Sequence, residues 1–309
     1  MNEYPDSFGL DKVLMVEPDK APGRRILAWV TLSRLPFHTV GILPFILGMV
    51  IACSQGYPLN FPVGILSTFA VILIMLATYY SGEFYDYETD CLNSSFNKFS
   101  GGTRILVSGL IPRGQALLAS LSVWLAPARS GSCYFFILKL APSPCPSGSS
   151  VCSQGISIPP GLCYGWMTVN TGYYLQTGHF GILSTLVSIP IGISIFLVIL
   201  INEFPDYFSD RQSGKNTLVV RLGREKASRL YAGLCAACFP AMLFSVHQGG
   251  SRSAVFFSVF PLAIILRNLL SVKKREFLYA QALERLCART LLLNLGITLL
   301  SLFSFIYRP

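Results

Sequence analysis

The chain has 309 residues, 52% of them hydrophobic and only 13% charged, and its 24 basic and 15 acidic residues leave a formal net charge of +9. Soluble domains average about 25% charged residues, so this composition excludes an ordinary globular enzyme. The basic residues lie between long apolar runs, which points to the loops of a polytopic membrane protein and not to a nucleic-acid partner.

In chain order, residues 1–23 mix Glu3, Asp6, Asp11, Glu17 and Asp19 with two lysines, and no short apolar core follows a basic start. They read as a cytoplasmic tail, not a signal peptide. A membrane crossing takes roughly 20 mainly apolar residues. That length predicts spans at about 36–54, 61–80, 105–126, 158–175, 180–201, 228–247, 253–271 and 289–307. The span at 105–126 carries Arg113 near its start, and the one at 158–175 is short and contains Pro159 and Pro160.

Loops 81–104, 202–229 and 267–289 are rich in Lys and Arg, whereas turns 55–60 and 176–179 have none and 247–252 has only Arg252. The positive-inside rule puts the first group in the cytoplasm. From Arg113 to Gln176 the chain must then cross an odd number of times, and the roughly 60 residues available fit three spans. The expected fold is all-α: a multi-pass bundle of nine transmembrane helices forming one domain over residues 24–309.

Between about Pro127 and Gly161 this pattern fails. The stretch contains Pro-Ser-Pro-Cys-Pro-Ser-Gly-Ser-Ser at 142–150, and its one apolar run, Tyr134–Leu138, stops at Lys139. Pro breaks helices, and Ser and Gly offer lipid little apolar surface. A long extramembrane loop is one reading. A compensated pair of frameshifts is the reading adopted here, and a shifted frame of the coding sequence that restores an apolar, Pro-poor segment would establish it.

The acidic residues carry the functional information. None lies between Cys91 and Asn202, while seven of the fifteen fall in two windows of eight residues. Glu83-Phe84-Tyr85-Asp86-Tyr87-Glu88-Thr89-Asp90 and Glu203-Phe204-Pro205-Asp206-Tyr207-Phe208-Ser209-Asp210 share E-F-x-D-Y-x-x-D. Each follows an apolar span at its cytoplasmic end. The spacing i, i+3, i+7 predicts three carboxylates in one stripe of a helix in both windows. Like charges so placed repel unless a cation is present. Carboxylates without clustered Cys or His indicate a hard cation, Mg²⁺, which binds through one or two carboxylates plus substrate phosphates. Glu83, Asp86, Asp90, Glu203, Asp206 and Asp210 are the expected metal ligands, with Lys98, Arg104, Arg211, Lys215 and Arg221 as counter-charge for a diphosphate. A polyprenyl diphosphate puts a diphosphate at the membrane surface and a large apolar group inside a helix bundle. Mg²⁺ and basic side chains would stabilise the leaving diphosphate, and an electron-rich acceptor would attack the allylic carbocation.

These residues resemble the UbiA superfamily of intramembrane aromatic prenyltransferases. The family's first motif is written N-D-x-x-D-x-x-x-D and its second D-x-x-x-D. Here they read Gly82-Glu83-x-x-Asp86-x-x-x-Asp90 and Asn202-Glu203-x-x-Asp206-x-x-x-Asp210. Ser100-Gly-Gly-Thr-Arg104 is similar to the loop after the first motif, and Lys215-Asn-Thr-Leu and Arg221-Leu-Gly to the continuation of the second. Arg34-Leu-Pro36 is similar to the Arg-Pro that opens the first helix and faces the diphosphate. The resemblance implies Mg²⁺-dependent transfer of a polyprenyl group to an aromatic small molecule within the lipid membrane. It implies Asp86, Asp90, Asp206 and Asp210 as catalytic carboxylates, Asn202 as a further metal-side residue and Arg34 on the diphosphate. Two departures stand out. Gly82 replaces the usual Asn, and the family's Y-x-x-P-P stretch with its following Gly-x-Gly-Glu survives only as Ile158-Pro159-Pro160. The loop Asn97–Arg104 is more similar to the dihydroxynaphthoate branch than to the hydroxybenzoate branch, and non-quinone acceptors stay open.

A cation-coupled transporter is the rival class. It predicts acids near the bilayer midplane, whereas these sit at span ends beside basic loops. His38, four residues after Arg34, is either a packed polar residue or a substrate-pocket contact, since no second His is near to complete a metal site. Cys235-Ala-Ala-Cys238 is a lone pair inside an apolar span and reads as helix packing.

Overall fold

The computed structural model describes residues 22–94, 96–97, 99–125, 162–249 and 251–307. These residues form helices and turns, with no strand beyond one isolated bridge between Asn97 and Ser100. We number the helices α1 (Pro22–Leu32), α2 (Thr39–Ser54), α3 (Phe61–Leu92), α4 (Arg113–Leu125), α5 (Thr168–Thr177), α6 (Ile182–Asn202), α7 (Tyr207–Gln212), α8 (Leu218–Leu222), α9 (Arg224–Gly249), α10 (Arg252–Phe257), α11 (Val259–Lys273) and α12 (Ala280–Ile306). Six segments of the described residues are long and apolar enough to cross a membrane: Gly23–Ser54, Phe61–Leu92, Ile182–Asn202, Arg224–Gly249, Ser253–Lys273 and Ala280–Ile306.

Two expected spans differ in detail over the described residues. The segment expected at 105–126 is helical only from Arg113. Gly101, Gly102, Arg104 and Gly109 all have positive φ, and Pro112 precedes the helix, so residues 99–112 form a folded loop. The segment expected at 158–175 is a π-helical turn at Leu162–Met167 running into α5. The third crossing expected between Arg113 and Gln176, and the anomalous 127–161 segment, lie outside the described residues. So does the tail at 1–21; the bundle opens instead with α1, which carries exposed Ile26, Leu27 and Val30 beside Arg24 and Arg25.

Packing follows residue size. Gly48 on α2 and Gly172 on α5 bring two backbones into contact: a Cβ on Gly48 would lie 1.9 Å from the Val169 carbonyl oxygen, and one on Gly172 2.1 Å from that of Phe45. Small residues at such crossings let helices approach where lipid offers no hydrophobic drive to associate. A large core joins α2, α5, α6, α9, α11 and α12, with Ile195, Leu197, Tyr231, Leu286 and Ile297 fully buried. A smaller cluster joins α1, α3, α4 and the folded loop through Leu32, Tyr80, Ile111 and Ala116. Several buried polar groups pair across helices: Asn294 donates to Ser194 at 2.8 Å, and Tyr231 and Thr290 share a 2.6 Å hydrogen bond.

Candidate active site

α3 has 32 residues, about 48 Å at 1.5 Å per residue and longer than a hydrocarbon core of about 30 Å. The surplus carries Glu83, Asp86 and Asp90 beyond the apolar stretch on an unbroken helix, as the spacing predicted. The second copy differs. α6 ends at Asn202 and α7 begins only at Tyr207, because Pro205 has no N–H to donate and its ring clashes with the carbonyl four residues back. The expectation of one helical stripe for Glu203, Asp206 and Asp210 is therefore corrected: they occupy a helix end, a turn and a short new helix.

The two copies face one cavity of about 300 Å³. Asp86, Asp90, Asp206, Asp210, Glu203 and Asn202 line it with Arg34 and Lys215. Val40, Met75, Ile195, Val198 and Ile199 also line it, with Tyr79 and Tyr164. Lys215 reaches across to Asp86 at 2.7 Å and joins the two copies. Arg34 donates to Glu83 at 2.6 Å. Residue 34 has φ +47, a left-handed turn that separates α1 from the 3₁₀ turn Leu35–His38.

The glutamates are held by protein groups. Besides Arg34, Glu83 accepts from the Thr103 backbone N–H at 2.8 Å and its hydroxyl at 3.0 Å, and it is buried. Glu203 accepts from the Val219 N–H at 3.0 Å, at the head of α8. Asp206 accepts from Asn93 Nδ2 at 2.6 Å, and its other oxygen lies 2.5 Å from Ser100 Oγ, which is also 2.6 Å from the Asn202 carbonyl. Asn93, Ser100 and Thr103 had no role in the sequence reading, although Ser-Gly-Gly-Thr-Arg was visible. Only the fold reveals that this loop supplies donors to both copies. Gly102 lies directly against Asp90: at φ +69, a Cβ there would sit 2.1 Å from Asp90 Oδ2.

The basic residues divide. Arg34 and Lys215 line the carboxylate cavity. Arg104 bonds the Asp90 backbone carbonyl, stacks over Phe96 at 4.6 Å, and lines a neighbouring cavity of about 770 Å³ beyond the Phe37–Phe99 ring pair. Arg211 and Arg221 are exposed and line neither cavity. Lys98 lies outside the described residues.

Burial shapes the charge. It pushes Glu203 and Asp210 up to about 6 and raises Asp206 against the opposing hydrogen bonds from Ser100 and Asn93. Burial pulls Lys215 down, but Asp86, Asp210 and Asp206 together outweigh that and leave it raised. Among the described residues no three His, Cys, Asp or Glu side chains converge into a ready-made metal cage. Mg²⁺ keeps waters and takes phosphate oxygens beside one or two carboxylates. The donor set is hard oxygen throughout, and the side-chain oxygen of Asn202 is buried without a hydrogen-bond partner.

Residues 157–283 match the model of the UbiA prenyltransferase family. Two relatives are named 1,4-dihydroxy-2-naphthoate octaprenyltransferase. The one from Escherichia coli (strain K12) is 40% identical over 28% of this chain and 29% of its own length, and the one from Bacillus subtilis (strain 168) is 26% identical over 73% and 75%. Among solved structures, an apo UbiA homolog from Aeropyrum pernix K1 superposes with a TM-score of 0.60 at 18% identity, covering 87% of this chain and 97% of that one. A UbiA homolog from Archaeoglobus fulgidus bound to GPP and Mg²⁺ gives 0.51 at 15% identity, covering 88% and 99%. Residues 157–283 are thus similar to the UbiA prenyltransferase family, and the described residues share the helical fold of the UbiA homologs.

Proposed function

We propose that this chain transfers a polyprenyl group from an allylic polyprenyl diphosphate to an aromatic acceptor of the dihydroxynaphthoate type, within the membrane and with Mg²⁺. One observation carries the reading: a single cavity is lined by four aspartates, Arg34 and Lys215 together with Val40, Met75, Ile195, Val198 and Ile199. That combination matches a substrate with a charged head and a hydrocarbon tail. The names of the two relatives support the acceptor class, and the GPP and Mg²⁺ bound by the Archaeoglobus homolog support the donor and the metal. In this reading the bundle crosses the membrane nine times, with the carboxylates on the cytoplasmic side.

Asp86 and Asp90 from the first copy, with Asp206, Asp210 and Asn202 from the second, would hold Mg²⁺. When bound, Mg²⁺ supplies positive charge to the diphosphate as it leaves. Lys215 and Arg34 add fixed positive charge beside it, so the allylic C–O bond breaks with its electron pair going to the diphosphate. Glu83 orients Arg34, and Asn93 and Ser100 orient Asp206. The acceptor's ring carbon then forms the new C–C bond with the allylic cation, and its C–H bond breaks, the proton passing to the departing diphosphate as the ring regains aromaticity. Val40, Met75, Ile195 and Val198 exclude water, while the faces of Tyr79 and Tyr164 attract the developing cation.

Prenyl transfer in membranes containing the chain tests this, using labelled polyprenyl diphosphate and a panel of aromatic acceptors. Mg²⁺-dependent product that disappears in EDTA is the expected result. Cation flux across vesicles without any transfer would refute it in favour of a transporter.

A further inference from the structure

The cations around the site differ in what neutralises them. Arg34 is paired with Glu83 and Lys215 with Asp86. Arg104 has no carboxylate partner among the described residues: its guanidinium bonds the Asp90 backbone carbonyl and lies over the Phe96 ring at 4.6 Å. Stacking uses the face of a guanidinium and leaves its edge, which carries five N–H donors, for other partners. Arg104 does not line the carboxylate cavity. It lines the larger cavity of about 770 Å³ beyond the Phe37–Phe99 pair.

Glu284 of α12 lines that same larger cavity, and among the described residues it too has no ion pair. A cation and a carboxylate that share a cavity without meeting leave room for a ligand that satisfies both. The volume lies within the range of about 300–1,000 Å³ usual for small-molecule sites. Phe37, Phe96 and Phe99 supply aromatic wall, which suits a flat ring. An inorganic anion would use Arg104 and leave the rings and Glu284 unmatched. A hydrocarbon tail would leave both charges unmatched. The ligand that fits has an aromatic body, an acid group for Arg104 and a hydroxyl to donate to Glu284.

The larger cavity also adjoins the chemistry. Arg34, Phe37, Phe99 and Gly102 line both cavities, so the Phe37–Phe99 pair, with ring centroids 6.4 Å apart, stands at their partition. The inference that follows rests on the reading of the first cavity as a prenyl diphosphate site. We propose that the larger cavity binds the acceptor as a hydroxylated aromatic carboxylate. Its carboxylate lies on Arg104, a ring hydroxyl on Glu284 and its ring against Phe37 and Phe99, beside the prenyl donor. Arg104 is then a specificity-determining residue for the acceptor's acid group, in place of the diphosphate counter-charge expected of it.

The test uses the full chain in nanodiscs. Binding of 1-hydroxy-2-naphthoate without diphosphate is compared with binding of its carboxamide. The variants are Arg104→Gln, Arg104→Lys and Val30→Trp, the last at a residue that lines the larger cavity and not the first. Wild type should bind the acid about tenfold or more tightly than the amide, the scale of one charge-assisted hydrogen bond. Arg104→Gln should bind the two alike, Arg104→Lys should restore part of the preference, and Val30→Trp should weaken both. In transfer to 1,4-dihydroxy-2-naphthoate, Arg104→Gln should raise the acceptor KM about tenfold or more and leave the polyprenyl diphosphate KM within about twofold. An acid-over-amide preference that survives Arg104→Gln overturns the proposal. So does an equal rise in both KM values with a lowered Tm, which marks Arg104 as a support for Asp90. Arg104-dependent binding without transfer to any aromatic acceptor would keep the site and refute the prenyl-transfer reading. Transfer that neither Arg104→Gln nor Val30→Trp alters would do the reverse.

Discussion

The two acidic copies share five of eight residues, yet they are built differently. In the first, Tyr85 lets α3 continue, so Glu83, Asp86 and Asp90 share one rigid helix anchored in the bundle. In the second, Pro205 ends α6, and the three acids are distributed over a helix end, a turn and α7. The glutamates show the consequence most clearly. Glu83 is tied to Arg34 and Thr103, whereas Glu203 is drawn to the Val219 N–H of α8. The same carboxyl at the same motif position orients a cation in one copy and caps a helix in the other. The aspartates of both copies therefore reach the cavity, while the backbone specifies what each glutamate does: Glu203 lines the cavity and Glu83 does not.

The comparison breaks outright if the copies do not act together. Asp86→Ala and Asp206→Ala should each lower kcat/KM for prenyl transfer by about a hundredfold or more, the scale for losing a group that stabilises transition-state charge. Loss in one variant alone would mean that one copy suffices. The backbone difference is tested by Tyr85→Pro, which puts the second copy's break into the first. It should destabilise the chain by about 3 kcal/mol in reversible unfolding and abolish transfer, since α3 also carries Tyr79 and Met75 into the cavity wall.

A smaller effect separates the glutamates. Glu83→Gln leaves the Arg34 guanidinium without its counter-ion at a buried carboxylate, and should cost about 2–4 kcal/mol of stability. Glu203→Gln retains an amide oxygen for Val219 and should cost under about 1 kcal/mol. Equal losses in denaturant titrations would remove the proposed division of roles.

The gentlest test is pH. Glu203 and Asp210 have folded-state values of about 6, above the ordinary carboxylate range near 4. Their contribution to stability is full below that ordinary range and is lost as pH rises through about 6, where both are ionised in the fold. Added Mg²⁺ offsets the loss only for the ionised groups. It should therefore raise Tm more at pH 7.5 than at pH 5, and Asp210→Asn should shrink that difference.

Much of this was legible in the sequence, for physical reasons that can be named. Apolar runs mark helices in lipid because the bilayer core solvates no backbone polar group, so the all-helical fold and most span positions followed from composition. The i, i+3, i+7 spacing placed Asp86 and Asp90 on one helix face because helix geometry is local. Two departures from the expected pattern are local as well. Pro205 ends the helix despite the matching motif, and Gly109 and Pro112 keep residues 105–112 out of the helix that their apolar run suggests.

What composition and spacing determined by themselves is the helical fold, its long apolar segments and the clustering of acids at their ends. Tertiary structure decided which groups those acids meet. Arg34 finds Glu83 across 49 residues, Asn93 finds Asp206 across 113, and Lys215 finds Asp86 across 129. No periodicity encodes such partnerships, because hydrogen bonds and ion pairs depend on atoms brought together by the packing of distant helices. Arg211 and Arg221 stayed outside the cavity for the same reason.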